Sequence, residues 1–297
     1  MGILRSGTHR VYRPFDEMVT IRALCIIVVL ATSSTAHGQA QGAVPERVVS
    51  INLCTDQLAM LLAAPGQLVS VSHLAADPRS SVMADAARAF PANQALAEEV
   101  YLLRPDLVLA GTFTSRATVS MLERLGIPVV SFSPAYSLAD VRQGMIDMGR
   151  ALGRVEAAAE MVSRFDAGLA QVASAPSGQS PTAATYAANG YTPGANSLSA
   201  EIIQAAGFRH LAAELGLTQG GFLPLESLIL AAPDLVVVGD TYPGNSRAEE
   251  ILSHPALTQL RGGRETLEDR DWVCGLPSVV DAVTRMRAAH DMIGVSQ

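Results

Sequence analysis

The chain has 297 residues, enough for two modest domains that each bury a core. Aromatic residues make up 5% and charged residues 16% of it, with a formal net charge of −7, a balance that suits a compact α/β protein with covered sheets. All 21 basic residues are arginine and no basic run occurs, so the electrostatic footprint of nucleic-acid binding is missing.

The first segment reads as an address. Arg22 precedes the apolar run ALCIIVVLA (23–31), and small or polar residues, TSSTAHGQA, fill 32–40. That order of charged, apolar and small-residue regions is a cleavable export signal over 1–40. The apolar run falls short of the ~20 residues a bilayer span needs. A periplasmic location is expected for what remains.

RVVSI (47–51) predicts a strand, followed through NLCTD by a helix over DQLAMLLA (56–63) that Pro65 and Gly66 close. LVSVS (68–72) predicts a second strand, AEEVYLLR (97–104) a short helix, and DLVLA (106–110) a third strand. SRATVSMLERLG (115–126) then predicts a helix and IPVVSF (127–132) a strand. Such alternation implies a parallel sheet with helices on both faces. From Ser137 to about Ser174 the pattern is helical, interrupted at Gly153, and 154–173 can form one long helix. Alternation resumes with a strand over TAATYAA, helices over LSAEIIQAAG and LPLESLILA, strands over DLVVVG and WVCG, and a closing helix over PSVVDAVTRMRAAH. The expected division is therefore an N-terminal lobe over 44–136, a bridging helical segment over 137–175 and a C-terminal lobe over 182–297.

The two lobes repeat a phrase. RPDLVLAG (104–111) returns as APDLVVVG (232–239), and a glutamate stands seven residues before each proline, Glu98 before Pro105 and Glu226 before Pro233. Helix–proline–strand is a common α/β idiom, but glutamate, proline, strand and terminal glycine coincide here in two halves of similar order.

The series RVVSINLCTDQLAMLLA, RPDLVLAG, LGIPVVSF, the bridging helix, LESLILAAPDLVVVG and HPALTQL resembles the substrate-binding proteins of ABC importers, in the branch that binds iron chelates and cobalamin. The resemblance runs from about Val44 to the C-terminus. It implies an α/β fold of two Rossmann-like lobes with parallel sheets, joined by a single long rigid helix. It also implies a monomeric, non-enzymatic receptor with no cofactor of its own, which captures a ferric siderophore, a corrinoid or haem and delivers it to an ABC permease dimer with its ATPase subunits. In that family each lobe presents one glutamate to permease arginines, and by position these are Glu98 and Glu226. Glu99 adjoins the first and can replace it.

The chelate is expected between the lobes, on loops that leave the carboxyl ends of the strands. Aromatics collect in those loops, Phe113, Tyr136, Tyr191, Phe222 and Tyr242, where rings can pack on a large flat ligand. Arg79, Arg116 and Arg247 can pair with carboxylate or phosphate groups, and His73 is a loop histidine within reach. Cys54 and Cys274 are the only cysteines left after the signal. An even pair in an oxidising compartment ordinarily bonds. Because they belong to different lobes, and a bond would close the cleft on one side, the expectation is two separate thiols facing the ligand. An alternative for Cys274 is simple packing beside Trp272.

Two rival functions make different demands on the sequence. A periplasmic enzyme acting on a chelate would need a catalytic motif, and no nucleophile elbow, HExxH, CxxC or phosphate loop is found. A receptor for a bare divalent ion would need several converging His, Asp or Glu ligands, and no such cluster is legible.

Overall fold

The computed structural model describes residues 43–239, 244, 246–260 and 262–295. The signal expected over 1–40 lies outside the described residues. In chain order the elements are β1 (Val48–Ser50), α1 (Leu53–Leu62), β2 (Leu68–Ser72), α2 (Ala84–Ala87), β3 (Ala92–Asn93), α3 (Ala97–Leu102), β4 (Leu107–Gly111), α4 (Arg116–Arg124) and β5 (Val129–Phe132). Two consecutive helices follow, α5 (Leu138–Ala151) and α6 (Val155–Val172). The second half runs β6 (Thr182–Tyr186), β7 (Tyr191–Thr192), α7 (Leu198–Ala205), β8 (Arg209–His210), α8 (Leu211–Glu214), β9 (Gly221–Phe222), α9 (Leu225–Ala231), β10 (Leu235–Val238), α10 (Pro255–Thr258), β11 (Gly263–Thr266) and α11 (Val279–Val295).

The first sheet has the order β3-β2-β1-β4-β5 and the second β11-β10-β6-β8, and every pairing within them is parallel. In both sheets the chain winds outward in two directions from a first strand, β1 or β6. The strand across the switch point is β4 or β10, the repeated PDLV strand in each case. The repeat thus builds the same corner twice. Asp106 accepts the backbone N–H groups of Glu46 and Arg47 at 2.7 and 2.9 Å, which fixes the entry to β1. Asp234 accepts the N–H and hydroxyl of Thr182 at 2.7 and 3.0 Å, which fixes the entry to β6. The residue before each proline, Arg104 (φ 49°) and Ala232 (φ 44°), takes the left-handed conformation as its helix ends. Only the glycines differ in role. A Cβ on Gly111 would come within 2.8 Å of the Asn52 side chain, whereas at Gly239 it would meet only Asp269 Oδ1, at 4.0 Å.

The bridge is a tight helical pair. Ser137 and Asp140 form a capping box that starts α5, and Gly153 (φ 66°) lets the chain turn into α6. At Gly149 a Cβ would lie 2.3 Å from that of Ala158, so α6 rests almost on the α5 backbone. Val141, Met145 and Met148 of α5 and its capping Leu152 join Met161, Val162 and Phe165 of α6 in one buried cluster. That cluster takes in Val48 and Leu109 of the first sheet, Ala183 and Val237 of the second, and Val283 and Met286 of α11. Both sheets therefore lean on a common apolar spine.

One expected strand moves. WVCG is irregular, and the last strand is Gly263–Thr266 instead. GRET forms an exposed edge with no apolar run, so neither hydrophobicity nor alternation marks it.

Candidate functional site

The carboxyl ends of the two sheets are brought together by three contacts. Cys54, in the first turn of α1, is disulfide-bonded to Cys274, 220 residues on, with Cα atoms 5.1 Å apart. Arg270 donates to the carbonyl of Pro78 at 3.2 Å. Gly275 packs so closely on Ala135 that a Cβ would lie 2.4 Å from the alanine methyl and 3.2 Å from Val141. The expectation of two free thiols facing a ligand is overturned. Asn52 caps α1 by accepting the N–H groups of Cys54 and Thr55, so Cys54 is held by a helix start rather than by a loop. The lack of a side chain at Gly275 lets the 272–275 segment drop onto α5. Cys274 is buried within the apolar spine and Cys54 packs against it, so the bond joins the two lobes at that spine.

Beneath the first sheet's rim is a buried polar network. Ser72 donates its N–H to Asp56 Oδ1 at 3.0 Å and its hydroxyl to Oδ2 at 2.5 Å. Asn93 donates to the Ser50 carbonyl and to Ser70 Oγ, both at 2.9 Å. Thr55 and Ser50 share a 2.8 Å hydroxyl pair. These bonds tie the starts of α1 and of the loop after β2 to the sheet. Nothing local in the sequence marks Asp56 as buried.

Asp56 has its pKa raised to about 6 by burial, which outweighs the lowering by its Ser50 and Ser72 hydrogen bonds. His210, in the second lobe, is lowered to about 4 by burial, and neither ring nitrogen has a hydrogen-bond partner among the described residues. The two act oppositely on stability. The Asp56 contribution is full below about pH 3.8 and is lost as pH rises through about 6. The His210 contribution is full above about pH 6.5 and is lost as pH falls through about 4. Each amounts to about 3 kcal/mol at 1.36 kcal/mol per pH unit, so they nearly offset. Asp56→Asn is expected to expose the histidine, with unfolding free energy falling by about 3 kcal/mol from pH 7 to pH 4. Urea melts across that range check it; an unchanged pH profile would contradict it.

The predicted ligand residues fall on both rims. Phe113 follows β4 and is 81% exposed, and Tyr136, 52% exposed, follows β5. The capping carboxylate of Asp140 accepts the Tyr136 N–H at 3.0 Å. Tyr191 and Phe222 lie directly opposite each other in the antiparallel β7–β9 ribbon. His73 is exposed just beyond β2. Arg116 is exposed at the start of α4. Arg79 is exposed but pairs with Asp77 at 2.6 Å, and its hydrogen bonds hold that carboxyl at about 2. Tyr242 lies outside the described residues. Arg247 and Phe222 share a hollow of about 740 Å³ with Glu226 and His254, so in the second lobe an expected docking residue adjoins expected ligand residues. A separate hollow of about 600 Å³ lies at the entry ends of β10 and β11, the edge opposite to where open α/β sheets bind ligands.

Glu98 and Glu226 are exposed, each in the first turn of its helix. Glu99 is occupied locally, accepting the Gln94 N–H at 2.7 Å. Glu226 helps raise the pKa of buried Tyr186, after the larger effect of burial. Among the described residues no three His, Cys, Asp or Glu side chains gather as a metal-binding group, and no helix is long and apolar enough to cross a membrane.

Two doubly wound sheets that turn their carboxyl edges toward each other over a helical bridge define a two-lobed binding protein. The chain belongs to the periplasmic binding protein family, whose model matches residues 48–266. A cobalamin-binding protein of Halobacterium salinarum is 31% identical over 199 residues, 66% of this chain and 54% of that protein. The aligned part thus spans about half the length of the curated relative. The same fold is seen in the periplasmic heme-binding protein RhuT of Roseiflexus sp. RS-1, with a TM-score of 0.67 and 21% identity over 84% of this chain and 98% of that one. It is seen again in the vitamin B12-binding protein BtuF of Vibrio cholerae, with a TM-score of 0.63 and 15% identity over 84% and 98%.

Proposed function

We propose that the chain is the periplasmic receptor of an ABC importer, which captures a metal chelate between its lobes and delivers it chemically unchanged to a membrane permease. The observation that carries this reading is the set of exposed rings, Phe113, Tyr136, Tyr191 and Phe222, at the carboxyl edges of two sheets in a family of binding proteins. A flat, largely apolar chelate gains from ring contact, while tyrosine hydroxyls and Arg247 serve its polar edge. The name of the 31%-identical relative makes a corrinoid the first candidate, ahead of haem and ferric siderophores. Residues 1–40 act as the export signal and are removed. Glu98 and Glu226 contact the permease, one on each lobe.

The test is calorimetric titration of the purified protein with cyanocobalamin, haemin and ferrichrome. One of them is expected to bind at 1:1 stoichiometry with a Kd of about 1 μM or tighter. Phe113→Ala with Tyr136→Ala should weaken it by at least about tenfold, since each packed ring contributes on the order of 1 kcal/mol beyond its buried area. Failure of all three to bind, or recovery of an altered chelate, would contradict the reading.

A further inference from the structure

The repeat carries more than its glutamates. Four residues beyond each stands a leucine, Leu102 after Glu98 and Leu230 after Glu226. Leu102 is 77% and Leu230 85% exposed, while the residues two before them, Val100 and Leu228, are fully buried. Equal spacing from the buried anchor means that both helices present the same face outward. An i, i+4 pair lies on one side of a helix, one turn apart. Each helix then ends at once, at Arg104–Pro105 or Ala232–Pro233, in a left-handed residue, and the aspartate after the proline is bonded at the entry to the first strand of its sheet. The pair is therefore held in the same setting on both lobes. Single exposed leucines are common on protein surfaces. An exposed leucine repeated at the same offset as the glutamate, proline and aspartate is not explained by local folding, because neither side chain packs in its own lobe.

We propose that each lobe docks through this two-part element, a carboxylate and an apolar knob one helical turn apart. The partner is the membrane permease, a protein that offers the same receptor site twice, with a cationic residue beside an apolar pocket in each copy. This rests on the receptor reading above. Charge complementarity points to the cation: neither Glu98 nor Glu226 has an ion-pair partner among the described residues, unlike Glu99, which is used locally. The duplication points to the two-fold partner, since two equivalent elements on one chain match two equivalent sites. The first knob also borders a hollow of about 270 Å³ formed with Tyr101, Met121 and Leu125, which extends the apolar contact beside Glu98.

The test uses the full mature chain and the cognate permease–ATPase complex in lipid nanodiscs, with docking read by interferometry at several salt concentrations. Leu102→Gln with Leu230→Gln should weaken docking by at least about tenfold, given the area of a buried leucine. Its salt dependence should stay as in the wild type, with thermal midpoint and cyanocobalamin affinity unchanged. Glu98→Gln with Glu226→Gln should weaken docking and flatten its salt dependence. Wild-type docking by the leucine variant beside failure of the glutamate variant overturns the knobs and leaves the receptor reading standing. Unchanged docking by both variants overturns both. Concentration-dependent self-association of the wild type that the leucine variant lacks, with its permease docking intact, assigns the knobs to a second copy and overturns the proposal.

Discussion

Import is expected to stop in a Glu98→Ala, Glu226→Ala double variant, with chelate affinity nearly unchanged. Each carboxylate is exposed and has no ion pair among the described residues, so its loss leaves the fold intact. On docking, each would lose a charge-assisted contact, on the order of 2–3 kcal/mol, or about a hundredfold per site. Two such sites bring a micromolar contact outside any useful range. Glu99→Ala is the matched control, because that carboxylate already serves the Gln94 N–H, and it should import normally. Glu226 lies in the same hollow as Arg247 and Phe222, so a few-fold change in chelate affinity is tolerable. A loss of more than about tenfold by calorimetry would show that the glutamates hold the ligand instead.

The second large effect comes from the disulfide. Cys54→Ser with Cys274→Ser opens a loop of 220 residues, for which chain entropy alone gives about 5 kcal/mol, and native disulfides generally give about 2–5. For a chain of this size that corresponds to a fall in thermal midpoint on the order of 10 °C. Because the bond lies in the apolar spine, chelate affinity at 25 °C should change little once the protein is folded. Calorimetric melting with and without reductant checks this. A midpoint shift below about 2 °C would mean that the packing of Gly275 on Ala135 and of α5 on α6 already fixes the lobes.

The helix, proline and apolar run of the PDLV repeat each have local signatures, so β4, β10 and the helices before them were legible in the sequence, as was the long α6. The two-residue strands β3, β7, β8 and β9 were not, since a pair of residues has no periodicity. Nor was β11, an exposed edge whose GRET sequence is polar. The rim aromatics could be named from the loops that hold them, but the Tyr191–Phe222 pairing depends on a ribbon that only tertiary structure forms. The disulfide was misjudged for a clear reason. Its partners stand in a helix start of one lobe and an irregular segment of the other, and what brings them within 5.1 Å is a glycine whose missing side chain is significant only once Ala135 and Val141 are in place. Asp56 illustrates the same limit: its four-residue distance from Asn52 is legible, but its burial is set by Ser72 across the sheet.

The most direct test of the account is a crystal structure of the protein loaded with cyanocobalamin, with anomalous scattering used to place the cobalt. The account predicts a single peak between the rims, bounded by Phe113 and Tyr136 on one side and by Tyr191 on the other, above the Cys54–Cys274 bond. A peak in the hollow at the entry ends of β10 and β11, between Ala232 and Arg264, would contradict it.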